Sequence, residues 1–150
     1  QDEVLKHPRG GTNIYAPIQS IYEKYITNAV NKTNVFVILI TDGENSKQDD
    51  NAKMKVHFAT HHSAPIFWQF VGLGEKFAFL ETVVAATTNA AFFSLNDVQS
   101  ISDDTLLERL LQKFPIWLNY TKEMYKYSYN INESVGNNLL DGGGGVGTLW

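Results

Sequence analysis

The chain has 150 residues, of which 43% are hydrophobic and 13% aromatic, and its formal net charge at pH 7 is -4. This composition fits one folded domain with a packed core. The acidic balance argues against nucleic acid or an anionic membrane as partner, no apolar run reaches the ~18 residues of a membrane span, and the absence of cysteine excludes disulfides and thiolate metal sites.

The first element is a glycine loop that opens an amphipathic helix. Gly10-Gly11-Thr12-Asn13 precedes apolar residues at helical spacing from Ile14 to Ala29, and Pro17 is tolerated in a first turn. Thr12 and Asn13 are both residue types that cap helices, so a cap is one interpretation of Thr12.

The next element is an apolar strand with a polar turn behind it. Six apolar residues, Val35 to Ile40, predict a strand buried on both faces, and Thr41-Asp42-Gly43-Glu44-Asn45 follows. Open α/β sheets bind ligands at this carboxyl edge, where Asp42 is well placed to hold a cation. The alternatives are a helix cap or a turn with Gly43, and we interpret Glu44 as a solvated neighbour.

The remaining pattern alternates helices and strands. A helix to about His62 and a strand at Ile66 to Val71 place consecutive strand starts about thirty residues apart, which is the length of a βαβ unit with parallel strands. The later predicted elements are a short helix from Phe77 to Val84, a strand from Ala90 to Leu95, a helix capped by Ser102 with an apolar stripe from Leu106 to Phe114, and a last helix near Pro115 in which Ile116, Trp117, Tyr120 and Met124 share a face.

Two histidines, His57 and His61, are four residues apart and would share a helix face, which is compatible with zinc. Because the sequence places no third ligand nearby, a partly exposed helix face is the favoured interpretation.

Four segments in this order resemble the von Willebrand factor A (vWA) domain, and within it the bacterial tellurium-resistance, TerF-like branch. They are residues 10–17, 35–45, 65–74 and 89–118, and the resemblance covers roughly residues 8–126. It implies a Rossmann-like α/β fold with an open parallel sheet, of which about three strands are present here, with helices on both faces. We expect residues 1–129 to form a vWA-like domain that is incomplete at its amino end, and the Gly/Asn-rich residues 130–150 to form a flexible tail.

The resemblance also implies a metal-ion-dependent adhesion site (MIDAS). In that family Mg²⁺ or Mn²⁺ is held by an Asp-x-Ser-x-Ser motif, a threonine and an aspartate; Thr12 matches the threonine and Asp42 the aspartate. This chain contains no Asp-x-Ser-x-Ser motif. The missing ligands would come from a longer protein or another chain, or the site has lost its metal.

The favoured function is a non-catalytic, cytoplasmic protein-binding module of stress and metal-resistance systems, whose bound cation is completed by an acidic residue of a protein partner. One alternative is a metal-assisted phosphohydrolase that uses Asp42, with Glu75 and Asp97 as the nearby acids. Another is an interaction fragment without metal, which docks through the open edge of the strand Val35 to Ile40; a partner chain would cover that edge.

Overall fold

A computed structural model describes residues 11–26, 33–96 and 101–124. Helices and strands alternate along them in the predicted order. The elements are α1 (Tyr15–Tyr25), β1 (Val35–Thr41), α2 (Gln48–Thr60), β2 (Ile66–Leu73), α3 (Ala78–Ala85), β3 (Ala90–Leu95), α4 (Asp103–Leu110) and a further helix, α5, over 114–124. The predicted tail, 130–150, lies outside the described residues.

The three described strands form one parallel sheet in the order β1-β2-β3. Val35 is paired with Ile66 at the start of the first two strands, and Thr41 is paired with Gly72 at their ends. The turns that follow β1 and β2 therefore emerge side by side. The predicted α/β fold with an open parallel sheet is confirmed.

Helices cover both faces of the sheet, as predicted. On one face, α1, α2 and α3 pack against alternate strand residues in the main core, which includes Ile18, Met54, Trp68, Phe70 and Leu80. On the other face, α5 packs through Trp117 against Phe67 and Ala91. Burial of these apolar side chains is the main force that holds the layers together.

The strands β1 and β2 differ in burial. Seven of the eight residues of β2 are buried, as expected for a strand flanked by two others. On β1, Ile38 is 45% exposed and Ile40 is 64% exposed, so the prediction that this strand is buried on both faces is wrong. Within the described residues β1 is an edge strand, and no described element covers these two side chains.

The last two helices also differ from the sequence prediction. Ser102 caps α4 through a 3.3 Å hydrogen bond from the Thr105 amide, as predicted, but α4 has no buried residue. In α5 the predicted stripe is mostly exposed, with Ile116 at 69% and Tyr120 at 55%. Trp117 of the predicted stripe is buried against the sheet, and its neighbours in that contact are Phe114 and Leu118. Their i, i+3, i+4 spacing fits a helix face equally well.

Candidate metal centre

The carboxyl edge of the sheet borders a cavity of about 870 Å³. The glycine loop contributes Thr12 and Asn13 to its wall, the exposed side of β1 contributes Ile40, and the turn after β1 contributes Asp42. Thr12 and Asp42 are thirty positions apart in the sequence, and the fold brings both to the same cavity. This is the edge at which open parallel sheets bind their ligands.

The glycine loop lies directly on the turn after β1. The Ser46 amide donates a 2.9 Å hydrogen bond to the Thr12 carbonyl. The Ile14 amide donates a 2.6 Å hydrogen bond to Asn45 Oδ1. Gly11 permits this approach, because a Cβ atom at its position would overlap the side chain of Ser46. The position of Thr12 is therefore fixed by contacts on both sides of it.

The cap of α1 is provided by Asn13. Its Oδ1 accepts a 3.0 Å hydrogen bond from the Ala16 amide, which satisfies a free donor of the first turn. Among the described residues, the Thr12 hydroxyl has no hydrogen-bond partner, and it would lie 3.3 Å from a Cβ atom placed on Gly43. The interpretation of Thr12 as a helix cap is therefore wrong, and its hydroxyl lies beside the turn that carries Asp42.

The turn itself is held by Thr41. The buried Thr41 hydroxyl donates to the Gly43 carbonyl at 2.6 Å and accepts from the Gly43 amide at 3.2 Å. The Asp42 side chain is exposed and makes no hydrogen bond with another described residue. Its carboxylate is therefore available to a ligand.

Glu44 has a structural role that the sequence interpretation missed. Its Oε1 accepts hydrogen bonds from the amides of Phe79, at 2.6 Å, and Leu80, at 3.0 Å. Both amides belong to the first turn of α3, where a carboxylate also interacts favourably with the helix dipole. The prediction of a solvated Glu44 is wrong, because the parallel pairing of β1 and β2 brings the start of α3 next to the turn after β1.

Asn45 was also missed. Besides Ile14, it contacts Asn51 and Met54 of α2 through its amide nitrogen, at 3.0 Å in each case. A polar residue after a buried strand was the only sequence signal for Asn45, and nothing in the sequence indicates its partners.

The chemistry of the two candidate ligands fits a hard divalent cation. A hydroxyl and a carboxylate are oxygen donors, which Mg²⁺ and Mn²⁺ prefer. Within residues 11–26, 33–96 and 101–124, no three His, Cys, Asp or Glu side chains come together as a metal-binding cluster. Among the described residues, Thr12 and Asp42 are thus the two candidate oxygen ligands at this cavity, and Glu44 is occupied by α3.

The exposure of the histidine pair at the end of α2 differs from the prediction. His57 is buried, at 7% exposed, and burial together with the proximity of His61 lowers the pKa of His57 to about 4. Its ring is edge-on to those of Tyr22 and Trp68. His57 is therefore neutral at physiological pH, and the predicted partly exposed face applies to His61 but not to His57.

An open parallel sheet with helices on both faces, and a threonine and an aspartate at its carboxyl edge, is the arrangement expected of a domain of the von Willebrand factor A type. More particularly, the family model described as the vWA found in the TerF C terminus matches residues 2–125, and the chain belongs to this family. The resemblance that four sequence segments indicated is confirmed.

A curated relative covers much of the same region. The chain is 33% identical over 132 residues to the uncharacterized protein YcbR of Bacillus subtilis (strain 168). The alignment covers 81% of this chain and 51% of YcbR, so the chain spans about half the length of this relative. No solved structure matches the chain. The described part of the chain includes no helix with the length and apolarity that crossing a membrane requires.

Proposed function

We propose that this chain is a non-catalytic protein-binding module in which Thr12 and Asp42 form part of a MIDAS-type site for Mg²⁺ or Mn²⁺. The observation that carries the proposal is the meeting of these two side chains at one cavity. Both are free of hydrogen bonds to other described residues, because Asn13 caps α1 and Thr41 holds the turn. A function in binding explains why two polar groups are held in place without a structural partner.

Water and a partner's side chain would fill the remaining coordination positions of the ion. Mg²⁺ retains several waters when few protein ligands are present, and a carboxylate of a partner can replace one of them. The partner that fits this chemistry is a protein that offers an acidic residue. The partner residues next to this acidic residue would be apolar, because Ile38 and Ile40 line the same cavity.

Family membership supports a role in tellurium resistance or a related stress response. By likeness to the TerF-like branch we infer a cytoplasmic assembly component, and a cation-dependent docking site that joins proteins suits such a role. The chain matches only about half of YcbR, so the activity of a longer protein would depend on its other parts as well.

The test is calorimetric titration of the full chain with Mg²⁺ and Mn²⁺. We expect binding by the wild type, and at least a tenfold loss of affinity in Asp42→Ala and in Thr12→Ala. Asp49→Ala is the matched control, because Asp49 is an exposed acid in the first turn of α2. Absence of binding by the wild type, or equal binding by Asp42→Ala, would overturn the proposal.

The same variants separate this proposal from a phosphohydrolase. Glu75 lies with Asp42 along a neighbouring depression of about 550 Å³, which provides a second acid near the turn, while Asp97 lies outside the described residues. Phosphatase activity of the wild type that disappears in Asp42→Ala would replace the binding module by an enzyme. We expect none.

A further inference from the structure

A second cavity, of about 330 Å³, lies beside the buried histidine of α2. Its lining includes His57 of α2, His61 directly after the end of α2, and Tyr15 of α1. It shares no lining residue with the cavity at Asp42. The two imidazoles are thus brought together at an open space that the proposed MIDAS-type site does not use.

The separation of the two rings is compatible with binding of one ion by both. Their centroids are 4.9 Å apart with an interplanar angle of 61°. An ion about 2.0–2.1 Å from a ring nitrogen lies about 3.2 Å from the ring centroid, so two imidazoles at tetrahedral or right angles around it have centroids about 4.5–5.2 Å apart. The observed separation falls within this interval.

Tyr22 provides the support that a metal-bound histidine requires. Its hydroxyl lies 2.9 Å from His61 Nδ1, and its ring contacts the His61 ring with centroids 4.2 Å apart at an interplanar angle of 32°. When Nδ1 carries the proton and donates it to this oxygen, the lone pair of His61 lies on Nε2 and is free to bind an ion. Oxygen acceptors of this kind fix the tautomer and the orientation of metal-binding histidines.

The second imidazole is held by its surroundings. The His57 ring has edge contacts with four aromatic rings of α1, α2 and β2, those of Tyr15, Tyr22, Phe58 and Trp68. It makes no side-chain hydrogen bond with any described residue. A fixed imidazole loses little conformational entropy when it binds an ion.

We propose that His57 and His61 bind one divalent ion of the later transition metals, Zn²⁺, Ni²⁺ or Cu²⁺, with Tyr22 as the positioning residue of His61. Imidazole nitrogen suits these ions, in contrast to the oxygen donors at Asp42. The described residues offer no third His, Cys, Asp or Glu at this place, so water completes the coordination and the ion is exchangeable. Lys53 also lines the cavity, and its charge is offset by Asp50 at 3.7 Å.

The test is titration of the full chain with Ni²⁺ at neutral pH. We expect one ion per chain, an affinity at least tenfold lower in His61→Ala, and an affinity about tenfold lower in Tyr22→Phe, as for other residues that orient a metal-bound histidine. His62→Ala is the matched control. It removes an adjacent imidazole whose Nδ1 contacts the Ala59 carbonyl, and it should change the affinity less than twofold.

Circular dichroism shows whether each variant is folded, and the Cu²⁺ spectrum provides a second measurement. Electron paramagnetic resonance of the Cu²⁺-loaded wild type should show coupling to two imidazole nitrogens, reduced in His61→Ala. Equal Ni²⁺ affinity of the wild type and His61→Ala, equal losses in His61→Ala and His62→Ala, or no binding would overturn the inference. Asp42→Ala should bind Ni²⁺ like the wild type, and His61→Ala should bind Mg²⁺ like the wild type, so each site can fail independently of the other.

Discussion

The amide of Ile14 donates a 2.6 Å hydrogen bond to Oδ1 of Asn45, and this contact joins the start of α1 to the turn after β1. Ile14 is buried, at 2% exposed, and the two residues are 31 positions apart in the sequence. The contact determines where the glycine loop lies, and therefore where Thr12 lies relative to Asp42.

We expect Asn45→Ala to lower the free energy of unfolding by about 1–3 kcal/mol, because it leaves a buried amide without an acceptor. Urea unfolding measures the loss. Asn45→Asp is the graded control, since it keeps an oxygen for Ile14 but removes the donor to Asn51 and Met54. If the contact positions Thr12, Asn45→Ala should also weaken Mg²⁺ binding, although it removes no proposed ligand. Wild-type stability of the alanine variant would contradict this account.

We expect Gly11→Ala to destabilise the fold by about 1–3 kcal/mol, because the new methyl group overlaps the Ser46 side chain. The control is the double variant Gly11→Ala, Ser46→Gly, which removes the atoms that clash. Its stability should exceed the value expected from adding the two single effects. A purely additive cycle would show that the close packing of loop and turn is unimportant.

We expect Glu44→Ala to lower the free energy of unfolding by about 1–2 kcal/mol through loss of the α3 cap. Glu44→Gln retains an oxygen acceptor and should cost less. Glu81→Ala removes an exposed acid from the first turn of the same helix and serves as the matched control for charge. Equal effects of Glu44→Ala and Glu81→Ala would mean that the dipole, and not the two hydrogen bonds, accounts for the stabilisation.

The lowered pKa of His57 predicts that the free energy of unfolding depends on pH. It is to be measured with a chelator present. The folded pKa is about 4 and the ordinary value is 6.5, so between these values the unfolded chain binds more protons than the folded chain. The free energy of unfolding therefore includes a contribution from neutral, buried His57 that is fully present above pH 6.5. This contribution, about 3 kcal/mol at most, is lost as the pH falls towards 4. His57→Phe should remove this slope and His62→Ala should not. A slope unchanged in His57→Phe would assign it to other groups.

We expect the exposed side of β1, which includes Ile40, to promote self-association. Because its side chain is 64% exposed, Ile40→Thr should change the free energy of unfolding by less than about 0.5 kcal/mol while reducing aggregation. Leu39→Thr, on the side of β1 that packs in the main core, should destabilise the fold instead. Light scattering and urea unfolding measure the two effects. Aggregation of Ile40→Thr at the wild-type rate would contradict the prediction.

The order of elements and the parallel sheet could be predicted from the sequence, because apolar periodicity and element length are local signals. Val35 to Ile40 and Ala90 to Leu95 became strands with nearly the predicted bounds. The burial of each face could not be predicted in the same way. Ile116 and Leu107 follow helical spacing, yet both are exposed, because burial depends on which other element covers a face.

The site shows the same division between local and long-range information. Asp42 could be named from its position after an apolar strand, and Thr12 from the resemblance to the vWA family. The fold places both at one cavity. Whether they bind metal stays a prediction. The partners of Glu44 and Asn45 depend on the pairing of β1 with β2 and on the packing of α1, which no local pattern encodes. The capping residue was ambiguous between Thr12 and Asn13 for the same reason.

The hydrogen bonds of Glu44 connect the turn that carries Asp42 to the start of α3. Only Gly43 separates the two acids, so a shift of the turn alters the contacts of the Phe79 and Leu80 amides. Solvent exchange of these two amide protons should be slower when a ligand at Asp42 fixes the turn, and faster when the ligand is removed. A ligand bound at Asp42 would thereby affect a helix of the main core through Glu44.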